Sequence, residues 1–358
     1  YGEWKPIEYS GSYGTNGFYL PFKQDYTVEG FSTVTYTGNS VDNNYIGGTG
    51  FKPDFTWIKD RNNAGTHALF DSVRGATKLL ASNSTAIEDT AASYLKTFET
   101  DGFTLGTDSG VNYAARTYVA WNWDMGGSNA SNTNGSINST VRANPTYGQS
   151  IVSYTTSTAN DGLNTIGHGL SSAPEMIIYK VRDTARDWTV YHSGTSGKLE
   201  LNNTDAVGST GDWGGNSPTS TLFYDWLTGG GKSTIAYCFH SVTGYSKFGS
   251  YTGNGNATGP SVTTGFAPAF LLIKNTGSAH GWQIYDNTRN PTNPVNNMLI
   301  PNSSGAEVSN SSDYKVDFTS TGFQVKTADA WLNENSKTMI YMCFADKREY
   351  AYWLDQSG

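Results

Sequence analysis

Carboxylates are the first residues in this chain with the chemistry for a reaction. Asp71, Asp101, Asp124, Glu175, Glu200, Asp286 and Glu307 are candidates. A glycoside-cleaving site needs two of them across one groove, roughly 5–9.5 Å apart. Asp71 and Asp286 close two related stretches, HALFD and WQIYD, and each is followed three residues on by an arginine, Arg74 and Arg289. The third related stretch, WTVYH, ends in His192 and has no matching arginine. A position duplicated within one chain reads as a local ion pair rather than as one active site, because ion pairs perturb carboxylates for structural reasons too. No G-x-S-x-G elbow is present. His67, His168, His192, His240 and His280 are scattered, with no H-E-x-x-H and no Cys/His spacing of a metal site. The expectation is a non-catalytic protein with no catalytic residues.

Two loops, SVDNNY (40–45) and TANDGLN (158–164), carry oxygen donors for Ca²⁺ but lack the EF-hand spacing. They read better as Asx-stabilised turns, so calcium is a weak candidate and no other cofactor is expected. Sugar rings stack on aromatic faces that also offer a polar tip. Trp213, Tyr224 and Trp226 lie where a repeat pattern breaks, and Trp331 lies in a loop. These four are the candidate carbohydrate-binding residues. Trp188 and Trp282 recur at one repeat position and are markers of the core instead. Eight N-x-S/T sequons (Asn83, Asn129, Asn134, Asn138, Asn202, Asn256, Asn302 and Asn310) follow from a Ser/Thr/Asn-rich composition. Cys238 and Cys343 occupy similar places in separate repeats, which predicts two unbridged, buried thiols.

The elements that position these residues are strands. Charged residues make up 15% of the 358, while Gly numbers 41, Tyr 23 and Trp 10. Aromatic residues suit strands and Gly and Asn suit turns, so the chain is expected to be all-β. Net charge is 23 − 31 = −8. An acidic chain without Lys/Arg clusters argues against nucleic acid, and no run reaches the ~18 apolar residues of a membrane helix. Residue 1 is not a natural start, so an upstream segment is expected.

GFKPDFTWIK (50–59), SSAPEMIIYK (171–180) and GFAPAFLLIK (265–274) are three versions of one strand. Pro53, Pro174 and Pro268 stand at its start, where a missing donor is tolerated, and mark the core with Trp188 and Trp282. Apolar residues at consecutive positions predict a strand covered on both faces. From each closing lysine to the next strand is eight residues (67 − 59, 188 − 180, 282 − 274), which predicts a hairpin in every repeat. FETDGFTLG and FTSTGFQVK predict a second hairpin with Gly at the turn, replaced by TLFYDWLTGGGK in repeat two. The expected fold is three tandem antiparallel β-sandwich modules, jelly-roll-like. The boundaries are residues 1–29 as an extension or the end of an upstream module, 30–126 as repeat one, 127–148 as a flexible Gly/Ser/Asn linker, 149–245 as repeat two, 246–348 as repeat three and 349–358 as a tail. Function is expected in the loops after Lys59, Lys180 and Lys274 and in residues 213–226, where the repeats differ.

GYSKFGSYTGNG (244–255), TGFAPAFLLIK (264–274), WQIYDNTRNPTNPVNN (282–297) and TMIYMCFAD (338–346) resemble repeat proteins encoded by tailed phages, notably those of marine and aquatic bacteria. HGLSSAPEMIIYK, WTVYH, SVRGATKLL and TDGFTLG fit further copies of that repeat. WKPIEYSGSYGTNGFYL (4–20) resembles the joint that follows a laminin-G-like, concanavalin-type module in such proteins. The resemblance implies an extracellular virion component, a tail fibre or other appendage, with no catalytic residues to carry over. It would be a homo-oligomer contacting other virion proteins, and repetition would supply avidity for a host-surface polysaccharide. The alternatives are a purely structural virion component (neck, tail or capsid decoration) without ligand, and a carbohydrate-active sandwich enzyme or accessory module.

Overall fold

The computed structural model of the chain describes residues 30–157, 163–209, 213–225 and 230–345. Within them the protein is almost entirely antiparallel β-structure. One four-strand order recurs in three sheets. The opening strands are Phe31–Thr37, Gln149–Thr155 and Ser246–Thr252. Each pairs with a closing strand, Thr117–Trp123, Ser233–Phe239 or Thr338–Ala345. The closing strand pairs with the proline-led strand, Phe55–Asp60, Met176–Val181 or Pro268–Asn275. The proline-led strand forms the expected hairpin with Ala68–Asp71, Thr189–His192 or Gln283–Asp286. Pairing first strand with last is a jelly-roll-like winding.

A smaller sheet covers one face of each. In repeat one it is Asn44–Gly47, Gly102–Leu105 and Leu95–Glu99, and in repeat three Ser261–Thr263, Gly322–Val325 and Val316–Thr319. Repeat two has the pair Asn164–Gly167 and Leu222–Asp225. The Gly of the second hairpin is required by space: a Cβ on Gly102 would lie 1.9 Å from the Ile46 carbonyl oxygen, and one on Gly322 equally close to that of Val262.

The proline-led strands are buried at every residue. Alternate side chains supply two different cores, as the period of two requires. Ile58, Ile177 and Tyr179, and Leu271 and Ile273 face the sandwiches of their own repeats. Phe55 and Trp57, Met176 and Ile178, and Phe270 and Leu272 face one cluster common to all three repeats. The closing strands alternate in step. Val119, Trp121 and Trp123, Ile235, Tyr237 and Phe239, and Ile340, Met342 and Phe344 all join that common cluster. Its centre is aromatic: Trp123 lies 5.9 Å from both Phe270 and Phe344 and 6.5 Å from Phe239, measured between ring centroids.

The three sheets therefore close on one another, which corrects the expectation of a flexible link between repeats one and two. Residues 127–148 are not a tether. Ala130–Asn132 and Ser139–Asn144 extend the repeat-two sheet, with Val141 in its core. Arg142 reaches back to an ion pair with Asp54 of repeat one. The Ser/Asn composition concealed these strands because an edge strand draws its hydrogen bonds from a sheet already formed. The 1–29 extension and the 349–358 tail lie outside the described residues.

Candidate functional site

The duplicated Asp/Arg positions build seams between repeats. Asp71 and Arg74 form a fully buried ion pair, and Tyr237 of repeat two donates its hydroxyl to Asp71 at 2.8 Å. Arg74 also meets Glu88 at 3.3 Å, and Glu88 accepts two hydrogen bonds of 2.8 Å from Arg182 of repeat two. Burial alone would raise the Glu88 carboxyl, but the Arg182 and Arg74 guanidiniums overcome it and hold it below its ordinary value. The arrangement recurs between repeats three and one. Asp286 and Arg289 pair at 2.6 Å, Trp121 donates its indole N–H to Asp286 at 3.0 Å, and Glu307 bridges Arg289 and Arg61.

The third seam, from repeat two to repeat three, shows why His192 stands alone. The residue matching Tyr237 and Trp121 is Met342, which offers no donor to a carboxylate there. His192 instead lies 3.2 Å from the Tyr341 carbonyl oxygen, and burial lowers its pKa to about 4. Glu88, Glu307 and Val207 repeat one backbone contact, donating their N–H groups to the carbonyls of Arg182, Arg61 and Thr276 at 2.8–2.9 Å. One seam recurs head to tail and returns to its start, so the repeats form a closed pseudo-threefold ring.

The loops after Lys59, Lys180 and Lys274 adjoin these seams. The three lysines are fully buried. Lys180 Nζ donates to Thr85 O of repeat one at 3.2 Å and Lys274 Nζ to Thr204 O of repeat two at 3.1 Å. Lys59 Nζ donates to Asp60 O and Asn63 O at 2.7 and 3.1 Å. Burial lowers all three ammonium groups to about 8. Three sequon asparagines are structural as well: Asn83, Asn202 and Asn302 accept from the backbone N–H of His67, Trp188 and Trp282 at 2.7–3.0 Å. Trp188 and Trp282 are buried, as are Pro53, Pro174 and Pro268.

The other candidate carboxylates are committed locally. Asp101 accepts from Gly50 N at 2.6 Å, Glu175 from Ser241 N at 2.5 Å, and Glu200 meets Lys198 at 3.1 Å. Asp124 accepts from Gly126 N at 2.9 Å. Asp42, in the first calcium-candidate loop, is held by Lys96 at 2.8 Å. Residues 158–162 of the second loop lie outside the described residues. Among the described residues no cluster of His, Cys, Asp and Glu has the arrangement to hold a metal ion. Cys238 and Cys343 are free and buried.

The four aromatic candidates do not form one site. Trp213 is 4% exposed and packs edge-on against Tyr179 and Tyr191, 5.6 and 5.2 Å away. It has no open face for a sugar, a correction that burial in the repeat-two core explains. Tyr224 is half-buried on a strand, and Trp226 lies outside the described residues. Trp331 is half-buried in the short helix Ala330–Asn333, against Tyr314 at 5.2 Å and His280 at 5.9 Å. The matching helix of repeat one, Ser109–Asn112, has Gly110 in that place. Tyr314 and His280 escaped the sequence reading, because neither the spacing nor the repeat pattern joins them to Trp331.

The ring has two unlike poles. Phe31 and Phe344, at the first and last described strands, stack with centroids 5.2 Å apart. Residues 30 and 345 therefore lie at one pole. Asn275, at the other end of the proline-led strand, donates to Ala330 O at 2.8 Å, which places Trp331 at the opposite pole. Eight strand residues at ~3.3 Å each separate the poles by roughly 25 Å. Repeat one presents Tyr113 there, 48% exposed with the Arg116 guanidinium 4.3 Å above its ring.

A cavity of about 530 Å³ opens at the pole of residues 30 and 345, beside Pro268 and the insertion that follows Asp286. From Asp286 to Asn302 is 302 − 286 = 16 residues, against 83 − 71 = 12 in repeat one and 202 − 192 = 10 in repeat two. That difference in length was the signal for this cavity. No helix among the described residues is long and apolar enough to cross a membrane. No match was found among curated proteins or among solved structures. A family model spans residues 27–348, all three repeats as one unit, and the chain belongs to that family, DUF7483, described as a domain of unknown function.

Proposed function

We propose that the protein is a non-catalytic component of a virion appendage, such as a tail fibre or spike, that adheres to host-surface polysaccharide. One observation carries the reading: residues 30 and 345 emerge together at one pole, while Trp331, with Tyr314 and His280, stands at the other. A body joined to its neighbours at one end and carrying aromatic residues at the free end suits adhesion. The closed ring supplies the rigidity, because its seams and common core use the repeated charged and aromatic residues for structure. Oligomerisation and attachment to other virion proteins would hold several copies together and multiply weak sugar contacts into avidity. The protein would act outside the cell, on the particle.

The test is a glycan array with the folded protein, wild type and Trp331→Ala. Binding to surface polysaccharides that falls about fivefold or more in the variant is the expected result, since aromatic stacking contributes about 1 kcal/mol or more. A blank array would sink the adhesive reading and favour a purely structural virion component. Depolymerisation of the polysaccharide by the protein would overturn both.

A further inference from the structure

We propose that the cavity beside Pro268 is a second binding site, for a neutral saccharide of one or two rings. This deepens the adhesive reading and rests on it for the class of ligand. Its volume, about 530 Å³, falls in the range of ~300–1,000 Å³ typical of small-molecule sites. Its chemistry narrows the occupant. All ten lining residues are uncharged, so neither an anion nor a cation finds a counter-charge. The charged neighbours in sequence are engaged elsewhere, Arg289 with Asp286 and Glu307 and Asp317 with Lys326. Pro268, Pro291, Val295 and Phe318 supply apolar faces, while asparagine and hydroxyl side chains supply donors and acceptors. A purely apolar ligand would leave the Asn290 Nδ2 donor without a partner, at a cost. A sugar ring, with C–H faces and an equatorial belt of hydroxyls, matches both halves. A peptide bound in extended form would want a strand edge. Here the lining includes Phe318 and Thr319 of the edge strand Val316–Thr319, but that edge is already occupied, Val316 bonding the backbone of Val295 and Phe318 the side chain of Asn293.

The walls are pre-formed. Asn293 bonds Phe318 twice, Nδ2 donating to its carbonyl at 2.7 Å and Oδ1 accepting from its N–H at 2.8 Å. Asn290 Oδ1 accepts from the N–H groups of Asn296 and Asn297 at 3.1 and 2.6 Å. Asn297 Nδ2 in turn donates to Arg289 O at 3.2 Å. Asn290 is thus fixed through its oxygen, and its Nδ2 has no partner among the described residues. That nitrogen is the donor we assign to a ligand hydroxyl. Pre-organisation lowers the ordering cost of binding.

Saturation-transfer NMR and calorimetry with lactose, maltose, cellobiose and chitobiose test the assignment. At least one disaccharide is expected to bind the wild type. Ala267→Trp, which fills the cavity, and Asn290→Asp, which keeps the acceptor and removes the donor, should each weaken it at least tenfold. Circular dichroism shows whether each variant folds, and Lys96→Ala on repeat one serves as an unaffected control. Absence of binding by all four sugars, or binding unchanged in Ala267→Trp, overturns the site. Saturation by short neutral peptides in place of sugars overturns the ligand class. The adhesive reading is separate: array binding that depends on Trp331 stands even when the cavity binds nothing, and cavity binding with a blank array leaves the reverse.

Discussion

Arg289→Met tests the ring through one seam. The guanidinium donates to Asp286 at 2.6 Å, to Glu307 at 2.8 Å and to Ile284 O at 3.1 Å, with both Asp286 and Arg289 wholly shielded from solvent. Removing one partner of a buried pair costs about 3–5 kcal/mol, because the other charge is left uncompensated. Glu307 keeps Arg61, and Asp286 keeps the Trp121 indole and the backbone N–H of residue 289, so the lower end, about 3 kcal/mol, is expected. The double change Asp286→Asn with Arg289→Met removes both charges and should lose about 1–2 kcal/mol less than the single change. Urea unfolding followed by tryptophan fluorescence and far-UV circular dichroism measures this. Both probes should report one coincident transition, since the common core ties the repeats together. A loss below 1 kcal/mol, or a second transition at the wild-type midpoint, would refute the closed ring as a cooperative unit.

The buried lysines give a pH dependence of unusual sign. Folded, Lys59, Lys180 and Lys274 titrate near 8, whereas unfolded lysine titrates near ~10.4. Between those values the unfolded chain binds more protons, so this contribution to stability rises with pH from about 8 upward. Melting temperatures between pH 7.5 and 9.5 should show that rise, and it should vanish in the triple Lys→Met variant; parallel profiles would count against it. Trp213→Ala should cost about 3–5 kcal/mol because it empties a core site, while Trp331→Ala should cost less than about 2 kcal/mol; denaturation midpoints compare the two. Burial raises the thiols of Cys238 and Cys343, so a thiol reagent at pH 8 should label neither until the protein unfolds. Early labelling of the native protein would contradict their burial.

The proline-led strand, its repetition and its two-sided burial are legible in the sequence. Those are local properties: a proline at the start, consecutive apolar residues and an eight-residue interval to the next strand dictate a covered strand and a hairpin wherever they occur. The sequence also marked Asp71 with Arg74 and Asp286 with Arg289 as ion pairs, because the same Asp/Arg position is duplicated within one chain. What covers the second face follows from how the repeats pack on one another. Tyr237 reaches Asp71 across 166 positions and Trp121 reaches Asp286 across 165, and no spacing rule connects them. Each is also an ordinary core aromatic by type, so nothing in the chain distinguishes a residue that fills its own sandwich from one that closes a ring. The same reason hid the two strands within 127–148, whose order comes from the sheet they join, and hid the burial of Trp213 under Tyr179 and Tyr191. Trp331 was legible as a loop aromatic of repeat three, but its place in a short helix at the pole opposite residues 30 and 345 follows from how the repeats pack.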